Sequence, residues 1–469
     1  MSAAPDLGAG RHWRRVLVYG LGVSGAAAAR LAASRGAAVL GVDARAARDL
    51  ELDLPAGTRF EAWSEEDAAG CELPADVDAV VLSPGVPPGR PLLAAARERG
   101  LPVVAEIELA FPLLDGPVVA ITGSNGKSTT TALTGAMLAA AGRAVEVCGN
   151  IGTALSSVVD GPPGRTFVVE VSSFQLEAVD GFRPRAAAWL NLSPDHLDRY
   201  ASLDDYAAAK ARLFDRQTAD DVAVLNADDQ RVAALAPASR RRLFSRAGEV
   251  ADGCFVAGGT VVGGTVVERT PGGAEEALFE LADLPLAGAH NLENAMAAAL
   301  LARALDASPE AIRRALAGFS GLPHRMQRLE VPGPVAWYDD SKATNVAAAA
   351  KSLEGLPDGR VHLILGGRAK GDDPAELAPL VTAKVRAIYV IGESAGLFAS
   401  ALGGLVPCHD AGTLERAVEE AVRRAEPGDV VLLAPACASF DQFDNYAHRG
   451  REFARLVRRA GATHGGGPG

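Results

Sequence analysis

Val118-Val119-Ala120-Ile121-Thr122-Gly123-Ser124-Asn125-Gly126-Lys127-Ser128-Thr129-Thr130 governs how the rest of this 469-residue chain is read. A short apolar run meets a glycine turn, then Lys-Ser, then an Ala-rich amphipathic stretch that continues to Gly142. That order spells strand, loop and helix N-terminus. Backbone N–H groups of such a loop, with the positive end of the helix dipole, cradle phosphate oxygens. Lys127 is expected to neutralise the β- and γ-phosphates, and the Ser128 hydroxyl to hold Mg²⁺. Ile121 stands where a general P-loop has its first glycine, which narrows the pattern to T-G-x-N-G-K-S-T. The duller alternative, an ordinary glycine turn before a helix, does not explain the adjacent Gly126-Lys127-Ser128. ATP and Mg²⁺ are the expected cofactors.

Around that loop the chain is long enough for about three domains. It is 48% hydrophobic and 22% charged, the composition of a soluble globular protein with substantial cores. The net charge of −12 makes nucleic acid a poor partner, while small anions remain within reach of local Lys and Arg. Cys71, Cys148, Cys254, Cys408 and Cys437 are scattered, odd in number and never paired as C-x-x-C. That pattern argues against a disulfide framework or a zinc site and for the reducing cytoplasm. No apolar run has transmembrane length, and no leader-like apolar segment precedes Arg11, Arg14 and Arg15. Membrane insertion is therefore not expected.

Three α/β blocks follow one another. The first, 1–114, opens with the strand run Arg15-Val16-Leu17-Val18-Tyr19, then Gly20-Leu21-Gly22-Val23-Ser24-Gly25, an Ala-rich helix and a second strand ending at Asp43. This is a βαβ unit with G-x-G-x-x-G in its first turn and an acid closing its second strand, so a doubly wound Rossmann-like sheet is expected. Taken alone the fingerprint favours a nicotinamide-dependent oxidoreductase. The second block, 115–320, carries the P-loop and the runs 166–170, 186–191 and 222–229; its Gly/Val/Thr-rich stretch 253–280 reads as a small antiparallel excursion. The third block, 321–469, restarts the rhythm as a second Rossmann-like domain, each strand entering a polar loop at its C-terminal end, where open α/β sheets bind ligands.

Several residues at those strand ends suit phosphate chemistry. Glu170 closes an apolar strand after the P-loop, and a hard dication needs such an oxygen ligand. His196 sits among acids in Asp195-His196-Leu197-Asp198, at another strand end. Lys210 reads by default as a solvated helix lysine. Asn291 and Asn294 share one helix face near its start, although Asn291 alone reads equally well as an N-cap. Asp339-Asp340-Ser341-Lys342-Ala343-Thr344-Asn345 gathers acids, a lysine and hydroxyls in one loop, which fits a nucleotide contact better than a salt-bridged turn.

These motifs, taken in order, resemble the Mur ligases, the amide-forming enzymes of peptidoglycan precursor synthesis. The resemblance rests on the P-loop, Gly149-Asn150-Ile151-Gly152, Glu170-Val171-Ser172-Ser173-Phe174-Gln175-Leu176-Glu177, Asp195-His196-Leu197-Asp198 and His290-Asn291-Leu292-Glu293-Asn294. Gly321-Leu322-Pro323-His324-Arg325 and Asp340-Ser341-Lys342-Ala343-Thr344-Asn345 extend it over nearly the whole chain. Gly20–Gly25, Leu365-Gly366-Gly367 and Pro435-Ala436-Cys437-Ala438-Ser439 make it most similar to the branch that adds D-glutamate. Sister ligases adding another amino acid, and folylpolyglutamate synthase, are the near alternatives; the last normally lacks a first block of this type.

The resemblance implies roles. The first domain holds the UDP end of UDP-N-acetylmuramoyl-L-alanine with Gly22, Val23, Ser24, Asp43, Arg45 and Ser83, and Gly149 and Asn150 meet the muramoyl part. Gly123, Ser124, Asn125, Gly126, Lys127, Ser128 and Thr129 with Asn294, Arg325, Asp340 and Lys342 contact ATP. Ser128, Glu170, His196 and Lys210 serve the metal ions, Lys210 as a carbamate; Lys127, Glu170, His196 and Lys210 are the catalytic set. Thr344, Lys370, Ser439 and Tyr446 hold D-glutamate. Ala44 and Arg368 stand where relatives often have a hydroxyl and an acid. The implied reaction is activation of a carboxylate as an acyl phosphate, then attack by the amine and loss of phosphate, with three domains closing to exclude water.

Overall fold

Each block's leading apolar run lies at the interior of its own sheet, where β-branched side chains are covered on both faces. The computed structural model describes residues 7–8, 10, 12–44, 57–62, 73–196, 199–258, 264–284, 288–319, 321–369 and 371–464. Arg45, Cys71, Leu197, Asp198 and Lys370 therefore lie outside the described residues. The chain divides into two compact units, Met1–Phe319 and Ser320–Gly469.

The first unit carries two of the sheets. Strands β1 (Arg15–Tyr19), β2 (Ala38–Asp43), β3 (Arg59–Ala62), β4 (Ala79–Leu82) and β5 (Val103–Ala105) form a parallel sheet in the order 3-2-1-4-5. The order reverses beside β1, the place where such sheets open a ligand crevice. The second sheet is built on β6 (Val118–Thr122), flanked by β8 (Thr166–Glu170) and β9 (Ala186–Trp189), with β7 (Val145–Gly149) outside β8. Beyond β9 follow β10 (Val222–Asn226), β11 (Arg240–Ser245) and β12 (Gly253–Ala257), all parallel. The expected excursion is present as β13 (Thr265–Arg269) and β14 (Glu275–Glu280), which pair antiparallel with β12 and with each other.

Two carboxylates fix the first sheet against the second. Ala105 at the end of β5 donates its N–H to the Ala178 carbonyl at 2.7 Å. Glu108, completely buried, accepts backbone N–H bonds from Asp180, Gly181 and Phe182 at 3.1, 2.9 and 2.9 Å. Charge-assisted bonds of this kind are each worth about 1.5–3 kcal/mol. Glu106, two residues earlier, accepts the Ser156 N–H at 2.5 Å on one oxygen, while its other oxygen is buried with no hydrogen bond among the described residues. Burial pushes that carboxyl up to about 7, against the opposing pull of the Ser156 bond.

The second unit has a sheet of its own. Strands β15 (Gln327–Leu329), β16 (Ala336–Asp339), β17 (Val361–Gly366), β18 (Val385–Ile391), β19 (Cys408–Gly412) and β20 (Val430–Leu433) run in the order 15-16-20-17-18-19. Within this sheet, among its described strands, only the β15–β16 pair is antiparallel. Helices on both faces cover two cores, one led by Leu363, Leu365, Ile388 and Phe398, the other by Tyr389, Leu433 and Phe453. Among the described residues no helix is long and apolar enough to cross a membrane.

Candidate active site

The P-loop folds as its sequence demands. All five residues of β6 are buried, and Gly123 and Gly126 take φ of 155° and 82°, where a side chain is strained. A Cβ on Gly126 would also collide with the Asn294 amide oxygen. Gly126 caps the helix Lys127–Ala140. The loop is laced to the segment after β9: Ser124 N–H donates to the Asn191 carbonyl at 3.1 Å, Asn125 N–H to the Asn191 side-chain oxygen at 2.9 Å, and Ser193 N–H to Ser124 Oγ at 3.0 Å. Lys127 Nζ donates to the carbonyls of Gly123 and Ser124, both at 2.9 Å.

Oxygen ligands gather at the helix start. Ser128 Oγ donates to Glu170 Oε2 at 2.5 Å, and Asn150 Nδ2 donates to Glu170 Oε1 at 2.8 Å. Glu170 is buried because β8 lies directly beside β6. Asn294 faces the same helix, where its Oδ1 accepts from the Thr130 hydroxyl at 3.2 Å. The helix that carries it, Ala289–Arg303, is capped by Gly288, so Asn291 lies inside the first turn and is not the N-cap.

Lys210 is not the solvated lysine that its local sequence suggests. Its Nζ donates to the Gly123 carbonyl at 2.9 Å and lies 4.4 Å from the Tyr206 ring centroid. Burial, reinforced by the Lys127 charge and opposed by Asp195 and Glu170, holds its pKa well below the usual lysine range. Burial thus disfavours the charged form of this amine. His196 sits in a turn at φ 54°, its ring against Phe174 with centroids 4.7 Å apart. Among the described residues no three His, Cys, Asp or Glu side chains converge as a metal cage. The donors that suit a hard dication are thus Glu170 and Ser128, next to the loop that faces phosphates.

A cavity of about 460 Å³ opens at the C-terminal ends of β1 and β4, lined by Gly20, Gly22, Val23, Ser24, Asp43, Ser83–Val86 and, from the second sheet, Asn150. Ser83 Oγ donates to the Gly20 carbonyl at 2.8 Å, and Asp43 accepts the Leu21 N–H at 2.7 Å. The strand-end acid therefore orders the glycine turn. Gly25 has no room for a side chain, because a Cβ would run into the Gly20 carbonyl. Asn150 belongs to both places: it lines this cavity and holds Glu170. Gly149, at φ 103°, packs against the Glu170 backbone.

In the second unit the polar strand-end loops also converge. His324 Nδ1 lies 2.7 Å from Asp339 Oδ2, and the buried Asp340 accepts from the Ser352 hydroxyl. Burial raises the Asp340 carboxyl to about 6, opposed by that hydroxyl and by Arg325. Lys342 Nζ lies 4.0 Å from the Tyr446 ring centroid, and Thr344 follows in the same loop. The loop after β17 is zipped to the loop after β20: Arg368 N–H donates to the Ala438 carbonyl at 2.9 Å, and the reverse bond is 3.0 Å. Ser439 next to this bridge is 1% exposed, and its Oγ has no hydrogen-bond partner among the described residues.

Reading by motif passed over Arg449. This guanidinium is 1% exposed and donates to Ser341 Oγ and to the carbonyls of Ser341 and Cys437 at 3.0, 2.9 and 3.0 Å, joining both loops. Burial lowers it to about 10. Its only signal in the sequence is an arginine on the inner face of the helix Tyr446–His464, which looks like any surface residue until the helix docks.

With this geometry in place, comparison with known proteins is informative. The family described as Mur ligase middle domain matches residues 121–302, Mur ligase, glutamate ligase domain matches 324–437, and Mur ligase MurD-like, N-terminal domain matches 14–105. The UDP-N-acetylmuramoylalanine--D-glutamate ligase of Acidobacterium capsulatum is 46% identical over 447 residues, covering 95% of this chain and 96% of that protein. The protein of the same name from Anaeromyxobacter dehalogenans is 48% identical, covering 97% and 99%. Among solved structures, the MurF ligase from Thermotoga maritima in complex with ADP superposes with a TM-score of 0.61 at 17% identity, over 96% of this chain and 95% of that one. UDP-N-acetylmuramate-alanine ligase MurC from the same organism gives 0.58 at 19%, over 96% and 100%.

Proposed function

The chain belongs to the Mur ligase family, and we propose that it joins D-glutamate to UDP-N-acetylmuramoyl-L-alanine at the expense of ATP, in the cytoplasm. The observation that carries this reading is Asn150, which lines the first-sheet cavity and bonds the P-loop carboxylate Glu170. A substrate whose UDP end fills that cavity extends past Asn150 toward the γ-phosphate site.

A carboxylate cannot be displaced by an amine, because oxide is too poor a leaving group. The alanyl carboxylate oxygen therefore attacks the γ-phosphorus, the bond to the bridging oxygen breaks, and ADP leaves. The neutral amine nitrogen of D-glutamate then attacks the acyl carbon and gives up one proton to solvent, the tetrahedral intermediate collapses, and phosphate departs with the bonding pair. Both steps bring anions together, so cationic positions decide the rate. Lys127 swings from the loop carbonyls to the β- and γ-phosphates, and the loop N–H groups hold the rest. Glu170 and Ser128 would hold Mg²⁺, with His196 and a carbamylated Lys210 as further ligands; when bound, the ion offsets phosphate charge. Burial disfavours the charged form of Lys210, and the neutral amine is the form that adds CO₂, losing one proton to become a carbamate.

In the second unit, Asp340, Lys342 and Arg325 are assigned to ATP, and Ser439, Thr344, Tyr446 and Lys370 to D-glutamate. The Ser439 hydroxyl, buried with no partner among the described residues, supports a polar ligand there. The test is phosphate release by the purified protein. It should require ATP, Mg²⁺, UDP-N-acetylmuramoyl-L-alanine and D-glutamate together. Equal release without the nucleotide sugar, preference for L-alanine, or hydride transfer with a nicotinamide would defeat it.

A further inference from the structure

Arg199 touches three segments at once. In the turn that begins at His196, the N–H groups of Arg199 and Tyr200 both donate to the His196 carbonyl, at 3.0 and 3.1 Å. His196 takes a positive φ there, a conformation that persists where the surroundings enforce it. The Arg199 guanidinium grips Glu177 bidentately, Nε to Oε1 at 3.1 Å and Nη2 to Oε2 at 2.5 Å. Tyr200 adds a third bond to Glu177, its hydroxyl donating at 2.6 Å. The guanidinium carbon also lies 4.1 Å from the centroid of the Phe174 ring, the ring on which His196 leans.

Phe174 and Glu177 lie in and just after the short helix Ser173–Leu176, which follows Glu170 directly. The remaining nitrogen, Nη1, leaves this cluster and donates to the Pro84 carbonyl at 3.0 Å. Pro84 is part of the wall of the first-sheet cavity. The side chains of Arg199 and Glu177 are only 11% and 16% exposed. A planar fork meets a carboxylate, a carbonyl and an aromatic face together; an ammonium does not.

We propose that Arg199 is a positioning residue that carries the filling of the first-sheet cavity to His196, through Pro84 on one side and Phe174 on the other. This rests on the reading of that cavity as the UDP site. An arginine that merely stabilised the fold would lower the melting temperature and leave turnover per folded molecule and the His196 environment unchanged.

The test uses the full-length protein with ¹³C-labelled histidine, the His196 resonance being assigned with His196→Gln, and UDP alone as the probe. UDP should bind the wild type, measured by calorimetry, and shift the His196 resonance. In Arg199→Met, UDP should still bind, the shift should vanish, and kcat should fall roughly ten- to a hundredfold with the KM for ATP unchanged. Arg199→Lys should recover only part of that loss. If UDP binds the wild type and leaves His196 unmoved, or if the methionine variant keeps the full shift, the proposal is overturned. If UDP fails to bind the wild type, the cavity assignment itself falls and the proposal with it. The wild-type titration decides even where the methionine variant does not fold.

Discussion

Lys127 and Lys210 share one acceptor: each Nζ donates to the Gly123 carbonyl at 2.9 Å. They come from different elements, the helix Lys127–Ala140 and the helix Leu203–Ala211. Two ammonium groups so placed repel each other, and the buried one yields, which is why Lys127 adds to the downward shift of Lys210. Lys127 sits at the phosphate loop, while burial and the neighbouring Lys127 charge disfavour the charged form of Lys210.

Lys127→Ala should abolish turnover while the protein remains folded. A single charge-assisted contact is worth about 1.5–3 kcal/mol in binding. A cation that also meets the charge developing in the transition state is worth more, so kcat should fall by more than the roughly ten- to hundredfold of the binding term. Steady-state kinetics with a melting curve on the same sample checks it; near-normal turnover rejects the phosphate role of the loop.

Lys210→Ala should be inactive and partly rescued by small carboxylates such as formate or acetate, which replace the carbamate. Mass spectrometry or ¹³C NMR under ¹³CO₂ should find the adduct on the wild type. A folded variant that no carboxylate rescues, together with an unmodified amine in the wild type with Mg²⁺ bound, counts against carbamylation.

Ser439→Ala should raise the KM for D-glutamate about tenfold or more and leave that for ATP unchanged, since a hydroxyl bonded to a carboxylate is worth ~1.5–3 kcal/mol. Lys370→Ala is expected to act in the same direction. A site built to pair a carboxylate discriminates strongly against analogues without one. Unchanged D-glutamate constants in both variants would remove these residues from the amino-acid site.

Glu106 makes stability depend on pH with a defined sign. Its folded carboxyl is raised from 4.5 to about 7, so between those values the folded state binds more protons than the unfolded. Stability is therefore lost as pH rises from about 4.5 towards 7, by on the order of 3 kcal/mol in full. Asp340, raised to about 6, contributes with the same sign. Glu106→Gln should flatten the slope and melt higher than the wild type at pH 8. Parallel melting-temperature profiles of the two proteins would show Glu106 to be irrelevant.

Much of the site was legible because its residues are local in sequence. Gly123–Thr129 build their loop from a strand, two positive-φ glycines and a helix start, all within a few residues. The βαβ turn at Gly20–Gly25 is of the same kind. Lys210, Arg199 and Arg449 were not legible from local pattern. Each looks like a surface cation on a helix or turn, and each is buried by contacts with partners far along the chain, Gly123, Pro84 and Ser341 among them.

The sequence by itself determined the alternation of apolar strands and helices, the three sheets, the phosphate loop and the family, because periodicity, glycine conformation and motif order are short-range properties of the chain. Only the tertiary structure decided that Asp43 orders its glycine turn, that Asn150 joins the first-sheet cavity to Glu170, and that Lys210 is buried against the P-loop carbonyl. Those outcomes depend on which distant groups supply a buried donor or acceptor with its partner. Desolvation makes that pairing obligatory, and only the packing of sheet on sheet selects the partner.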